Sequence, residues 1–193
     1  MKNLISFMSF CFASLLLSSC VGLHAGVNSS QDVSKVDYSP ESAIAKKTFV
    51  TVESQTSASA LQSFKNKTNR TGFYVGVFFT DLSLGDKFEV QPEINFLSIK
   101  DNLNQIQAPI LAKYEVIDQL SVVAGPNFGF LLDAPTGIKS FNLGADAGAQ
   151  YDITDNIAIS ARYNLGLSNL WENAPSGSSV KLNNIQVGLG YKF

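Results

Sequence analysis

The chain predicts an all-β fold, an eight-stranded antiparallel up-and-down barrel that crosses a membrane with strands. Three features predict it. The last nine residues, Ile185 to Phe193, alternate without a break between apolar or aromatic and small or polar side chains. On a strand this puts Ile185, Val187, Leu189, Tyr191 and Phe193 on one face and Gln186, Gly188, Gly190 and Lys192 on the other. The start, Met1-Lys2-Asn3 followed by the apolar run Leu4 to Leu17 and then small residues, has the form of an export signal. No long apolar run follows, so a mature chain that spans a membrane does so as a closed barrel, because lipid cannot satisfy an open sheet edge.

The export signal allows two cuts. Leu17-Ser18-Ser19-Cys20 fits a lipobox and would leave Cys20 as a lipidated N-terminus, whereas Leu23-His24-Ala25 allows ordinary cleavage before Gly26. The expected division is therefore a signal over 1–25, a flexible periplasmic tail over 26–47, rich in Ser, Asp, Lys and Ala, and a barrel over 48–193. Cys11 lies in the signal, so the mature chain keeps at most Cys20, and neither a disulfide framework nor a cysteine metal site is available. His24, the single histidine, falls at the cleavage region, which leaves the expected barrel without imidazole or thiol.

Eight segments of barrel-strand length follow. The first is placed within Phe49 to Gln55, with Val50 and Val52 outward. The second begins at Gly72 and turns Phe73, Val75, Val77 and Phe79 outward. In the third, Phe88 to Phe96, the apolar set Phe88, Val90, Pro92, Ile94 and Phe96 opposes Glu89, Gln91, Glu93 and Asn95, the cleanest alternation in the chain. Four more carry outward sets from Ile106 to Val116, Leu120 to Phe130, Phe141 to Tyr151 and Ile157 to Leu167, and the C-terminal segment is the eighth. Short connections at 84–87, 117–119 and 154–156 alternate with longer ones at 56–71, 98–104, 133–140 and 169–179. Bacterial barrels keep short turns in the periplasm, so both termini are expected there, in the cell outer membrane of a Gram-negative bacterium. The aromatic residues cluster near strand ends on the outward face, as interfacial girdles do.

The stretch from Gly72 to Phe193 resembles the outer-membrane protein beta-barrel domain common in Bacteroidetes-type bacteria, a relative of the PorT-like barrels. The resemblance is carried by Thr71-Gly72-Phe73, Gln91-Pro92-Glu93, Ala108-Pro109-Ile110-Leu111-Ala112-Lys113-Tyr114, Ala124-Gly125-Pro126, Ala161 to Leu167 and Val187 to Phe193. It accounts for Pro92, Pro109 and Pro126, each of which removes a ladder donor and argues locally against strand. Gln107 departs from the family, which often has Glu there. The ending, with Val187, Leu189, Tyr191 and Phe193 on one face before the free carboxylate, also resembles the signal read by bacterial barrel-assembly machinery. The resemblance implies a fold and an address; the family has no single activity.

An eight-stranded barrel is only wide enough for side chains to fill it. The inward charges Glu89, Glu93, Lys113, Asp146, Arg162 and Lys192 are therefore expected to neutralise one another. The turn at Asp155 puts Asp146 and Arg162 opposite or one step apart, and the loop after Ser98 puts Glu89 opposite Lys113, two expected salt bridges. A net charge of −2 gives no reason to propose nucleic acid as a partner. Catalysis is not expected, because the known enzymatic barrels rely on a histidine beside a serine or aspartate, and no cofactor or metal is implied. Trp171, in the loop Asn169 to Pro175, either anchors a strand end at the headgroups or offers a contact. The expected role is structural, surface-interacting or accessory to transport or secretion, with outer-membrane lipid and the assembly machinery as partners. A narrow, porin-like passive pore is a second reading, and a lipid-anchored soluble barrel resembling a lipocalin is a third.

Overall fold

The computed structural model describes residues 21–37, 63–80, 84–100 and 103–193. Eight strands, β1 (Val21–Asp37), β2 (Ser63–Phe79), β3 (Phe88–Ile99), β4 (Gln105–Ile117), β5 (Leu120–Leu131), β6 (Phe141–Asp152), β7 (Ile157–Gly166) and β8 (Ser179–Lys192), follow one another in chain order. Each pairs antiparallel with the next, and β1 pairs with β8, so the sheet closes. Closure removes both edges, as a strand structure in lipid requires.

The first strand differs from expectation. The segment Phe49 to Gln55 lies outside the described residues, and β1 is instead Val21–Asp37, which takes the end of the expected signal and much of the expected tail. Val21, Leu23, Ala25 and Val27 alternate with Gly22, His24 and Gly26, and the ladder to β8 runs from Gly22↔Lys192 to Lys35↔Ser179. A cut before Gly26 would remove five strand residues and the β8 pairs from Gly22↔Lys192 to Ala25↔Leu189. β2 is also longer than expected, beginning at Ser63 rather than near Gly72. Its ladder to β1 runs the full length to Asp37↔Ser63, but its ladder to β3 spans only Gly72↔Ile99 to Phe78↔Glu93. The β1–β2 hairpin therefore stands beyond the end of β3.

The apolar face points outward. Phe73, Ile94, Phe130, Phe141, Ile185 and Leu189 are each at least half exposed, while the alternate positions Gln91, Glu93, Asn95, Asn127, Asp146, Arg162 and Gln186 are buried. A lipocalin-like barrel has the reverse arrangement, so the soluble reading is set aside. Tyr191 and Phe193 pack edge to face outside, with ring centroids 5.2 Å apart.

Glycines on inward positions make room for the larger lumen side chains. A Cβ on Gly22 would come within 2.1 Å of the Phe78 ring, and one on Gly188 within 2.3 Å of the Tyr74 hydroxyl. At the two-residue turn between β4 and β5, Gln119 has φ of 72°, a left-handed conformation, and accepts a 3.0 Å hydrogen bond from the Tyr151 hydroxyl. At the opposite end, the connections after β5 and β7 join through the Ile138↔Trp171 bridge. Beneath them Leu131, Leu170 and Leu182 form a buried cluster with Leu103, Ala134, Ile138 and Val180 packed against it, and Tyr74, Leu97 and Ile99 form another. The long-loop end of the lumen is thus closed by apolar side chains.

Candidate functional site: the polar lumen

The alternation that turns apolar residues to lipid sends every other side chain inward, and these inward residues bond across the barrel. Glu93 on β3 is the centre. Its Oε2 accepts from Arg162 Nη1 of β7 at 2.6 Å and from Asn95 Nδ2 at 3.0 Å, and its Oε1 accepts from Gln91 Nε2 at 2.6 Å. Arg162 Nη2 also lies 3.1 Å from His24 Nδ1, and His24 Nε2 lies 2.5 Å from Asn95 Oδ1. Because guanidinium can only donate and an amide oxygen only accept, these partners fix imidazole as the neutral tautomer with its proton on Nε2. A closed ring of hydrogen bonds results, joining β1, β3 and β7. His24 is held by rings as well: Tyr74 packs edge-on at 5.4 Å and Phe78 lies tilted at 5.4 Å.

Asp146 occupies a separate cluster. It accepts from Asn127 Nδ2 at 2.9 Å and from Asn164 Nδ2 at 2.5 Å. The expected Asp146–Arg162 bridge does not form. The β6–β7 ladder sets Asp146 opposite Asn164 and Arg162 opposite Gly148, one inward step apart, so the register allows the pair but the side chains choose other partners. Arg162 then reaches across the lumen to Glu93, while Asn127 and Asn164 satisfy the Asp146 carboxylate. Glu89 stands opposite Lys113 in the β3–β4 ladder, with Nζ 3.5 Å from Oε2 and a further 3.9 Å contact to Asp152. This group lines a polar cleft of about 160 Å³ at the short-turn end, with Asp86, Lys87, Glu115 and Ser121. Nearer the long-loop end, Gln186 donates to Gln107 at 2.9 Å, and Ser30 links Asn28 to Asn184 at 2.7 Å on each side.

His24 is the residue that sequence reasoning missed. Its placement at a cleavage site hid it, although the alternation Val21, Leu23, Ala25, Val27 marks it as inward. The barrel therefore does hold an imidazole. Its partners are an amide, a guanidinium and, at 3.9 Å, the Glu93 carboxylate, and among the described residues no serine is bonded to it. The space beside it, among Phe78, Gln91, Gln150, Ser160 and Arg162, is about 10 Å³, room for about one water. Among the described residues no three of His, Cys, Asp and Glu gather as a metal site. Cys20 lies outside the described residues. Trp171 is half-buried, its backbone N–H donating to Asn169 Oδ1 at 3.0 Å.

Residues 13–193 match the family described as outer membrane protein beta-barrel domain. The chain belongs to that family. Its membership places this outer membrane protein beta-barrel domain chain in the outer membrane as a small eight-stranded barrel. Similar solved structures include Neisserial surface protein A (11% identity, covering 91% of this chain and 98% of that one, TM-score 0.48). Others are Ail, the attachment invasion locus protein of Yersinia pestis (14%, 90% and 99%, TM-score 0.42), and OprG from Pseudomonas aeruginosa (14%, 90% and 95%, TM-score 0.42). No curated protein matches the sequence.

Proposed function

We propose that this barrel is a closed, non-catalytic outer-membrane protein whose role is structural, surface-interacting or accessory to transport or secretion, exerted through its long-loop end. The observation that carries the reading is the filled lumen: the Glu93–Arg162–His24–Asn95 ring spans it, and the two apolar clusters cap it. A solute would have to break buried ion pairs and displace apolar packing, and a substrate has no access to the imidazole. In this reading the short turns and both termini face the periplasm, the loops bridged by Ile138 and Trp171 face outward, and Val187, Leu189, Tyr191 and Phe193 are read by the assembly machinery. Trp171, tied into that loop bridge, serves as an anchor for the loops rather than a free contact.

Conductance in planar bilayers tests the reading against the passive pore. The expected result is no stepwise current from the reconstituted barrel. Reproducible unitary steps that vanish on boiling would overturn it.

A further inference from the structure

Among the described residues the buried acidic and basic side chains are Glu93, Asp146, Arg162 and His24. With the imidazole neutral, two carboxylates face one guanidinium, and the excess negative charge rests on Asp146 among the Asn127 and Asn164 amides. A proton on His24 balances the set. Nε2 already carries its hydrogen toward Asn95 Oδ1, so that proton enters at Nδ1, where Arg162 Nη2 donates. Two donors bearing like charge then face each other, and the bond between them is lost. Each cation has a carboxylate to turn to. Glu93 Oε2 lies 3.9 Å from His24 Nε2. Arg162 stands one inward step from Asp146 on the adjacent strand, and its buried Nε has no hydrogen-bond partner. Around the imidazole β2 presents Tyr74 and Phe78 and β8 presents Gly190, none of them charged, with Lys192 the next inward residue of β8 toward the short-turn end.

We propose that His24 is a proton switch in the lumen: a proton from the short-turn end binds Nδ1, the imidazolium takes Glu93 as its partner, and Arg162 passes to Asp146. The proton comes from bulk water and ends on the ring nitrogen, with no other bond made or broken. Its way in is marked by side chains. The hollow beside His24 is lined by Gln150, whose Nε2 donates to Asp152 Oδ1 at 3.0 Å, and Asp152 lines the cleft at the short-turn end. Both arrangements pair the buried charges, which is what a two-state element biased by histidine protonation needs. The apolar clusters at the long-loop end take no part, so the barrel stays closed in both states.

His24 is the single histidine of the chain, so its ring nitrogens can be read without mutation. The test is nitrogen NMR of the untagged full chain in detergent micelles, isotopically labelled at histidine and arginine, titrated from about pH 8 to about pH 4.5. The Arg162 signals are assigned against R70K, and unheated gel mobility confirms the fold at each pH. At the alkaline end Nδ1 should be bare and Nε2 protonated. On acidification Nδ1 should take up a proton, and the Arg162 guanidinium signals should move with the same midpoint. In H24Q that movement should vanish; in D146N the imidazole should still titrate while the Arg162 response is lost. An imidazole that does not titrate in the folded barrel, or an Arg162 signal indifferent to its titration, overturns the proposal, and both are read on the wild type even if a variant fails to fold. An Arg162 response undiminished in H24Q overturns the histidine as its trigger, and one undiminished in D146N overturns the transfer to Asp146.

Discussion

Replacing Arg162 by Met should be among the most damaging single changes in the barrel. Arg162 and Glu93 are 5% and 2% exposed, and their 2.6 Å contact lies at the centre of the lumen. Removing the guanidinium leaves the Glu93 carboxylate with the Gln91 and Asn95 amides and the His24 imidazole 3.9 Å away, and also takes the donor from His24 Nδ1. Leaving one charge of a buried pair uncompensated costs about 3–5 kcal/mol, roughly a hundred- to several-thousand-fold in the folded-to-unfolded ratio. The carboxylate is what suffers, so the double variant R162M/E93Q should recover most of the loss. Urea titration of folding into phospholipid vesicles, with the folded fraction read from unheated gel mobility, measures both. If R162M stays within about 1 kcal/mol of wild type, the pair is solvated and the closed-lumen argument fails.

Lys113→Ala should behave differently, because Lys113, Glu89 and Asp152 line an open cleft; the same titration should show a loss below about 1 kcal/mol. Gly188→Ala should destabilise by about 1–3 kcal/mol, since the new Cβ meets the Tyr74 hydroxyl and the Ala25 carbonyl, and pairing it with Tyr74→Phe should recover part of that loss. The intact mass of the mature protein should show Val21 to Ala25 retained, with the cut at Cys20 or directly after it; a chain beginning at Gly26 would contradict the β1 assignment.

Most of the barrel was legible because lipid imposes a strict rule: on β3 to β8 each outward position at membrane level must be apolar, and Phe88 to Phe96 or Ile185 to Phe193 obey it visibly. β1 obeys it only from Val21 to Val27. Above that level Ser29 and Gln31 leave the lipid, both faces become polar, and the segment reads as a tail. The extension of β2 over Lys65 to Arg70 was hidden for the same reason. At the lumen, alternation correctly turned Glu89, Glu93, Lys113, Asp146 and Arg162 inward. The Glu89–Lys113 pairing was legible, but the partners of Arg162 and Asp146 were not, because Arg162 is long enough to cross the lumen, and Asn127 and Asn164 supply Asp146 with donors that only the closed barrel brings together.

Val21–Asp37 is the strand that closes the barrel against β8, where Val27 faces Val187. Cysteines at both positions, oxidised in isolated outer membranes, should form an intramolecular disulfide that speeds migration of the boiled, non-reduced chain. The pair Val27 and Gln186, on opposite faces, and each single cysteine should not. Failure of the Val27–Val187 link in a folded barrel would show that another segment closes the sheet.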